Sequence, residues 1–408
     1  MEIDEQSKEF DISHRNSTLL QLSIYILFGL GPLTGNVILV LFGVLASEFG
    51  VLTIEVAIAI PAFMFPFAIV QLFSGALSDL KGRIPVILFG LIVFAAGMII
   101  AIFSTSLITY ILANILGGIG FGFVNPVLIA LMTDISKGPD IPKKMGFLGA
   151  AANLGVGLGP ILAGQLVIIG WRFLYVIFVI IIVIGFSILI VLRKANKSQL
   201  ESTLFKTFLK HLILELKRPV VLLLILAAFL ATQSYLAVIT WTSQALTLSS
   251  IPENIRGIII GFAGIFGAIS GILIGFLIKR GGVKVALITG VITLFISLIT
   301  LLGIEDITAG ETLIFLSLGF MFIGIAGGTI IPASMFYSQT LSQERRGALA
   351  GLVTAGQFIG IALVPITYLP FYHQAGIKLV YLLILIVSLI FTVEVFILYV
   401  IAKKERKI

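Results

Sequence analysis

Residues 75–83 have the sequence Gly-Ala-Leu-Ser-Asp-Leu-Lys-Gly-Arg and join two long apolar runs, 54–77 and 84–104. Each run is long enough to cross the hydrocarbon core as an α-helix, which takes about 20 apolar residues. So few residues separate the runs that only a tight turn fits, and glycine permits the left-handed backbone of such a turn. Asp79 and Arg83 are four residues apart, so they can pair with each other or with neighbouring helix ends. This stretch therefore predicts two membrane spans joined by a charged turn.

The composition of the whole chain extends this prediction to all 408 residues. The sequence is 59% hydrophobic and 11% charged, whereas soluble domains carry about 25% charged residues. The chain has no Cys, which excludes disulfides, thiolate metal sites and a cysteine nucleophile. Its net charge of +7 comes from basic residues in short loops between apolar runs. The charge therefore indicates membrane orientation, and no nucleic-acid partner is expected.

Twelve stretches are long and apolar enough to span the lipid bilayer, and all exceed the roughly ten residues of a barrel strand. They predict an all-α membrane protein of about 12 transmembrane helices. The predicted spans are 18–44, 54–77, 84–104, 107–132, 145–168, 172–192, 219–246, 256–278, 284–303, 312–337, 347–370 and 377–401.

The basic residues divide the loops into two sets. If the N-terminus is cytoplasmic, the loops on that side hold 23 of the 26 Lys and Arg, and the other side holds only Arg172, Arg256 and Lys378. The positive-inside rule then predicts a multi-pass protein of the plasma or inner membrane with both termini cytoplasmic. Residues 1–17 lack the basic start and cleavage site of a signal peptide, so we expect them to remain as a cytoplasmic tail, with 402–408 as the other.

The longest break between spans, residues 193–218, predicts a cytoplasmic linker that contains an amphipathic helix. Ser198 and Glu201 form a capping-box pattern at its start. Apolar residues then recur at helical spacing with lysines among them, which favours a helix lying on the inner membrane face. A soluble helix that binds a partner is the alternative. The apolar positions are Leu200, Leu204, Phe205, Phe208, Leu209, Leu212, Ile213 and Leu216.

An internal repeat relates the chain before this linker to the chain after it. The glycines and leucine of 75–83 recur 200 residues later in 275–283, and the pattern of 118–126 recurs 206 residues later. Three glycines of the fifth span recur 201 residues after their first positions. Matches in the same order at nearly one offset predict two pseudo-symmetric six-helix bundles, 18–192 and 219–401, related by an axis along the membrane normal.

The turn between the second and third spans resembles motif A of the major facilitator superfamily. Gly75, Leu77, Asp79, Gly82 and Arg83 match the Gly-x-Leu-x-Asp-basic-x-Gly-Arg-basic pattern of that motif. The resemblance implies the major facilitator fold, in which two six-helix bundles enclose a central substrate cavity. A loop that only obeys the positive-inside rule is the alternative.

The resemblance also implies a conformational latch at this turn. In the family, Asp79 and Arg83 would bind an acid at the inner end of the fourth span, and Asp134 fits that place. The latch would favour the outward-open state by holding the two halves together on the cytoplasmic side. Leu80 and Ile84 occupy positions that are usually basic, which weakens the expected charge network.

The fifth span carries a second motif. Its small residues lie largely on one helical side, which allows close helix contact, and its proline removes a backbone hydrogen bond and can bend the helix. The pattern resembles motif C of the drug:proton antiporter (multidrug efflux) branch, with Ala163 replacing a glycine, and 171–173 (Trp-Arg-Phe) also resembles that branch. A helix that merely packs through small residues is the alternative. The motif residues are Gly146, Gly155, Gly159, Pro160 and Gly164.

The resemblance places the substrate cavity between the first, second, fourth and fifth spans of each half. Their polar residues are suited to neutral or weakly polar ligands, although each could equally form an interhelical hydrogen bond. Gln233 and Gln357 are favoured because they fall near the middle of their spans, whereas Trp241 is interpreted as an anchor at the membrane interface. The predicted cavity residues are Asn36, Asn114, Asn125, Asn153, Gln233, Tyr235, Thr329, Thr354 and Gln357.

Few residues of the predicted spans could carry a coupled proton. Asn114 stands where the related motif B has a buried arginine, and no lining span carries a carboxylate near its middle or a histidine. We therefore expect coupling to be weak or to run through Glu394 or Asp134, since a coupled proton needs a carrier. Glu394 is the only acid placed well inside a span. A structural role is its alternative, because the resemblance makes the twelfth span an outer support.

These features predict a monomeric secondary active transporter without cofactor or metal, which exports hydrophobic or amphipathic small molecules by alternating access, with protons as the expected coupling ion. Import or facilitated diffusion of a sugar or metabolite is the alternative. A polytopic membrane enzyme is not expected, because His14, His211 and His373 lie far apart outside the spans and no acid cluster accompanies them. The sequence also lacks a selectivity filter and a phosphate-binding loop, which argues against a channel or direct ATP drive.

Overall fold

A computed structural model of the chain describes residues 14–136, 140–192, 210, 212–304, 312–340 and 346–405. Most of these residues are helical, and the turns between helices are short. Grouped by span, the helices are His14–Asn36 with Ile38–Phe49 (span 1), Thr53–Val56 with Ala59–Lys81 (span 2), Arg83–Ile102 (span 3), Leu107–Asp134 (span 4), Ile141–Leu166 (span 5), Arg172–Val191 (span 6), Pro219–Leu246 (span 7), Glu253–Leu302 (spans 8 and 9), Thr312–Thr340 (span 10) and Arg346–Glu405 (spans 11 and 12).

Twelve spans result because two of the helices cross the membrane twice. Among the described residues, ten helices are long and apolar enough to cross a bilayer. Glu253–Leu302 and Leu349–Leu398 have 50 residues each, which is about 75 Å of helix and more than twice the hydrocarbon thickness. Each is broken by non-helical backbone, at Gly282 in the first and at Ala375 and Gly376 in the second. The predicted all-α fold with about 12 transmembrane helices is confirmed.

Glycines in the left-handed region mark equivalent turns in the two halves. Gly82 (φ 91°) and Gly282 (φ 71°) stand 200 residues apart, between spans 2 and 3 and between spans 8 and 9. Gly170 (φ 122°) and Gly376 (φ 70°) stand 206 residues apart, before spans 6 and 12. Residues with a Cβ rarely adopt this backbone conformation. The shared geometry at repeated positions supports the internal repeat.

The two halves contact each other mainly along two pairs of helices, span 5 with span 8 and span 2 with span 11. Within each half, the peripheral spans present many exposed apolar side chains, such as Ile184 of span 6 and Leu389 of span 12, as a lipid-facing surface requires. The halves themselves are built on buried leucine, phenylalanine and valine side chains.

The amphipathic helix predicted within 193–218 lies largely outside the described residues. Residues 212–216 are helical and lead directly to the start of span 7 at Pro219. The helix prediction for the earlier part of the linker stays a prediction.

Candidate transport path

The bundle has two ends, which differ in charge. The basic end is where spans 2 and 3 and spans 8 and 9 are joined, at Gly82 and Gly282. The opposite end is where spans 5 and 6 and spans 11 and 12 are joined, at Gly170 and Gly376. The contact between the halves differs from one end to the other.

Spans 5 and 8 come into backbone contact near the middle of the bundle. A Cβ placed on Gly157 of span 5 would lie 2.8 Å from the carbonyl oxygen of Gly261 in span 8. A Cβ placed on Gly264 would lie 2.6 Å from the carbonyl oxygen of Asn153. Any side chain at these positions would overlap the facing backbone. The glycines therefore allow a close helix contact of the kind that small residues give in membranes.

The close contact continues to the opposite end. A Cβ on Gly164 would lie 3.1 Å from the Cα of Asn254, and one on Gly257 would lie 3.2 Å from the Cα of Gly164. The Gln165 side chain donates a hydrogen bond to the Asn254 carbonyl oxygen at 3.3 Å. This end of the interface is therefore closed by both backbone packing and a polar contact.

Towards the basic end, spans 5 and 8 separate. The last glycine of span 8 that faces span 5 closely is Gly271, where a Cβ would lie 3.4 Å from Nδ2 of Asn153. One turn further, a Cβ on Gly275 of span 8 or on Gly149 of span 5 would meet no atom of the described residues within 4 Å, and the same holds at Gly146. The helices therefore diverge from the middle of the bundle to the basic end.

Other contacts between the halves follow the same pattern. Phe67 of span 2 and Phe358 of span 11 meet edge to face near the middle of the bundle, with ring centroids 4.4 Å apart. At the opposite end, the Gln244 side chain donates a hydrogen bond to the Thr53 hydroxyl at 2.7 Å. The described contacts thus close the space between the halves from the middle to the opposite end and leave it open towards the basic end.

The predicted motif residues of span 5 divide between two helix faces. A Cβ on Gly155 would lie 3.0 Å from the backbone nitrogen of Leu33, and Gly159 also faces span 1. These two glycines pack within the first half. Pro160 and Gly164 instead face span 8, while a Cβ on Gly146 would meet open space.

Sequence reasoning missed the partner of this motif. Gly157 was not singled out, nor were the facing glycines of span 8. A signal was present, because Gly257 and Gly261 form a small-xxx-small pattern that favours helix association. The pattern alone does not say which helix it faces.

The predicted latch residues come together at the basic end of the first half. Arg83 Nε lies 2.9 Å from Asp134 Oδ2, and Arg83 Nη1 pairs with Asp79. The same guanidinium donates to the Ser78 hydroxyl at 2.7 Å and to the Gly75 carbonyl oxygen at 3.5 Å. Ser78 is 1% exposed and had not been predicted. These contacts join the ends of spans 2, 3 and 4 within the first half, in a state whose halves are apart at this end. That the latch holds the two halves together stays a prediction.

Five of the predicted cavity residues donate a side-chain hydrogen bond to the backbone of their own helix. Each donates to the carbonyl oxygen four residues earlier, a bond that holds the side chain against its own helix. The donor–acceptor distances are 2.7 Å for Asn36, 2.8 Å for Asn114, 3.2 Å for Asn153, 2.8 Å for Thr329 and 2.7 Å for Thr354.

The surroundings of these residues differ. Asn153 faces the contact with span 8, whereas Thr329 is buried against Gly290 of span 9, within the second half. Asn114 and Asn125 are half-buried and stand eleven residues, or three turns, apart on span 4. They share a face with Phe121, whose ring stacks on Phe67 at 5.4 Å between centroids. Their part in a substrate cavity stays a prediction.

The two favoured glutamines lie inside the second half. Gln233 is 2% exposed, and its side chain donates to the Gly360 carbonyl oxygen of span 11 at 2.7 Å. Gln357 is 6% exposed, and its backbone carbonyl accepts from the Thr232 hydroxyl at 3.0 Å. Tyr235 is buried with its ring against Gly327 of span 10. These residues join span 7 to its neighbours.

The interpretation of Trp241 as an interfacial anchor is wrong. The side chain is 1% exposed, its Nε1 donates to the Val364 carbonyl oxygen at 3.4 Å, and its ring lies 5.0 Å from that of Tyr372. Almost every residue from 231 to 246 is buried. Span 7 is enclosed here by span 11 and by the first half, so its tryptophan does not reach the lipid interface.

Glu394 lies in span 12 and is 5% exposed. No hydrogen-bond partner for either of its carboxylate oxygens is found among the described residues. A buried carboxylate without a partner is costly in an apolar environment when it is charged. This residue therefore differs from Asp134, which is paired.

A polar cluster at the opposite end explains the Trp-Arg pair that follows span 5. Arg172 pairs with Glu48 of span 1 at 2.5 Å and donates to the carbonyl oxygens of Ile102 and Ser104 at 2.9 and 2.8 Å. Trp171 donates to the same carboxylate, and the Arg172 guanidinium lies 4.4 Å from its ring centroid. The cluster ties spans 1, 3 and 6 together.

The sequence matches a known family over nearly its whole length. The family model described as Major Facilitator Superfamily matches residues 24–309 and 251–408. The chain is 24% identical over 385 residues to the quinolone resistance protein NorA of Staphylococcus aureus (strain MRSA252), covering 91% of this chain and 95% of that protein. It is 26% identical over 317 residues to multidrug resistance protein 2 of Bacillus subtilis (strain 168), covering 73% and 76%.

A solved structure shares the fold. A crystal structure of a mutant of the nucleoside transporter NupG superposes with a TM-score of 0.72 and covers 93% of this chain and 99% of that one. Its sequence is 14% identical, so this likeness concerns the fold alone.

Proposed function

The chain belongs to the Major Facilitator Superfamily, and from that premise we propose that it exports hydrophobic or amphipathic small molecules by alternating access. Two relatives that match along most of the chain are named for resistance to quinolones and to multiple drugs. The small-residue motif of span 5 and the Trp-Arg pair after it favour the same branch. The polar residues of the lining spans, chiefly amides and hydroxyls, suit weakly polar ligands.

The observation that carries this proposal is the asymmetry of the contact between the halves. Close glycine packing at Gly157 and Gly264 ends near Asn153, and the helices separate from there to the basic end. Such a contact can open at one end while it closes at the other, as two rigid bundles rock about a central site. A substrate would enter from the basic end in this state and leave from the opposite end in the other.

We propose further that the basic end is cytoplasmic and that both termini lie there. The support is the 23-to-3 division of Lys and Arg between the two ends. Because the chain has no Cys, Lys143→Cys and Leu248→Cys provide matched probes of the two ends. An impermeant maleimide added to intact cells should label only Leu248→Cys, and labelling of only Lys143→Cys would reverse the orientation.

We propose that export of the substrate is driven by exchange for protons. We also propose that the protein works as a monomer. Glu394 and Asp134 are the candidate carriers. Glu394 is buried without a hydrogen-bond partner among the described residues, so it can take up a proton without breaking a contact. Asp134 is bound to Arg83, so a change in its protonation would alter the charged cluster at the basic end.

The proposal is tested with inverted membrane vesicles that contain the chain. We expect energised vesicles to accumulate several chemically unrelated lipophilic dyes, and a folded Gly264→Val variant to accumulate much less because its glycine contact cannot form. Uptake of one sugar or metabolite without dye transport would contradict export and favour the alternative transporter class. Comparing vesicles that contain this variant with vesicles that contain the parent chain distinguishes dye transport by the protein from passive partition of the dye into the membrane.

A further inference from the structure

A cavity of about 790 Å³ lies within the second half, outside the contact between the halves. It is bounded by Leu224 and Ala227 of span 7, by the start of span 9, by Ser334 of span 10 and by Phe396 of span 12. Most of its lining is apolar. Its volume falls in the range of about 300–1,000 Å³ that is usual for ligand-binding cavities. It is therefore large enough for a ligand that the transport path does not account for.

The mouth of this cavity faces the membrane. Ile288 and Ile292 of span 9 and Phe396 of span 12 line it and are 46%, 52% and 66% exposed. These spans lie at the outside of the bundle, where exposed apolar side chains meet lipid. The opening lies between spans 9 and 12 in the half of the membrane near the basic end. A molecule in that leaflet can therefore enter sideways, without passing between the two halves.

The two halves differ in side-chain size at one wall of the cavity. Leu88 and Leu91 stand 200 residues before lining residues of span 9 and are 8% and 1% exposed. Leu128 stands 206 residues before Ser334 and is fully buried. The first half therefore has Leu128 where the second half has Ser334, whose side chain is smaller. The smaller serine therefore leaves more space at this wall than the leucine at the equivalent position of the first half.

Positive charge surrounds the basic side of the cavity. Lys284 lines it next to the Gly282 turn and is solvent-exposed. Lys279 and Arg280 are exposed on the same turn, and the Arg280 guanidinium lies 4.0 Å from the Phe276 ring centroid. Basic pockets between spans on the cytoplasmic side favour anionic lipid head groups, because that leaflet is rich in anionic lipids.

We propose that this cavity binds one anionic phospholipid, with an acyl chain between spans 9 and 12 and its phosphate at Lys284. The apolar walls match the chain, the mouth faces the leaflet, and the lysine stands where the head group would lie. A lipophilic transport substrate would also fit the walls. The lateral mouth and its basic side favour the lipid.

The test measures lipid binding to the purified full chain in a non-ionic detergent by native mass spectrometry. Phosphatidylglycerol and phosphatidylcholine with identical acyl chains are titrated separately, and a lipophilic cationic dye is titrated as the third ligand. We expect one phosphatidylglycerol to bind more tightly than phosphatidylcholine. Lys284→Gln should weaken phosphatidylglycerol binding about fivefold, the effect of one basic residue near a head group. Lys143→Gln, which removes an exposed lysine from span 5 of the first half, serves as the control.

A second variant tests the apolar wall of the proposed lipid-binding cavity. Ser334→Leu introduces the residue of the first half and should weaken both lipids about fourfold for each methylene it displaces. Thermal unfolding of each variant without lipid checks that it is folded; if Ser334→Leu is not, Val291→Phe narrows the same cavity from another wall. Equal affinity for the two lipids, unchanged lipid binding in both variants, or a Ser334→Leu variant that weakens dye binding and leaves lipid binding unchanged would overturn the proposal.

Discussion

The two ends of the contact between spans 5 and 8 differ in what their glycines do. Near the middle and the opposite end, Gly157, Gly264 and Gly164 stand where any side chain would overlap the facing backbone. Near the basic end, Gly149 and Gly275 have open space where a side chain would be. The same residue type on the same helices is therefore tightly packed at one end and unconstrained at the other.

This difference indicates where the two halves can separate. Glycine contacts in a membrane gain stability from close van der Waals packing and hold no interlocking side chains. They can form and break as rigid bundles rock. The comparison predicts that substitutions at the two ends have unequal effects, which the following variants test.

The largest effect is expected from Gly264→Val. The added side chain would meet the backbone of span 5, and overpacking of this kind costs about 1–3 kcal/mol, or about five- to 150-fold in the population of the state that contains the contact. We expect dye transport to fall by a factor in that range, as measured in vesicles. Gly275→Val is the matched control in the same helix. Equal losses in the two folded variants would contradict the difference between the ends.

A smaller effect is expected from Asp79→Asn, which tests the basic end of the first half. The substitution keeps the shape and removes one of the two carboxylates bound to Arg83. Exposed ion pairs are worth about 0.2–1 kcal/mol, so transport should fall less than about fivefold while the protein stays folded. Lys279 occupies the equivalent place in the second half, and Lys279→Gln should leave transport unchanged. Unchanged transport in well-folded Asp79→Asn would refute a role for the latch.

The smallest effect is expected from substitutions of the two candidate proton carriers, which should change how far a pH gradient drives dye accumulation. Glu394→Gln should reduce only the part of dye accumulation that an imposed pH gradient drives, because exchange without a gradient needs no proton carrier. Asp134→Asn should reduce that part and also lower transport as Asp79→Asn does, because both carboxylates pair with Arg83. Glu55→Gln, at the opposite end, is the control. The measurement compares vesicles with and without the gradient. Strong gradient-driven accumulation in both variants would place the carrier elsewhere in the chain.

Most of the fold could be predicted, because membrane spans are set by length and apolarity. Boundaries were less accurate where a polar residue continues a helix. Span 1 was predicted to end at residue 44, but its second helix runs to Phe49. The helix ends where Gly50 adopts the left-handed conformation, and Glu48 is held by Arg172 and Trp171 at the start of span 6. Hydropathy along one helix cannot register such a partner.

The candidate site could be predicted only in part. The charged residues around Arg83 were found because their spacing and type are characteristic, and they lie together. The glycines of span 8 were missed because a small-residue pattern does not identify its partner helix. Trp241 was assigned to the wrong environment because enclosure by span 11 and the other half depends on packing between distant segments. What sequence cannot give here is which surfaces face each other.

Distances between paired labels at the two ends test the account most directly. Gln165→Cys with Asn254→Cys reports on the opposite end, and Gly149→Cys with Gly275→Cys reports on the basic end; the chain has no other Cys. Double electron–electron resonance on spin-labelled protein, with and without a transported dye, gives both distances. Alternating access predicts reciprocal changes, so that conditions which shorten the basic-end distance lengthen the opposite-end distance. Distances that change in the same direction, or a basic-end pair that stays fixed while transport proceeds, would contradict it.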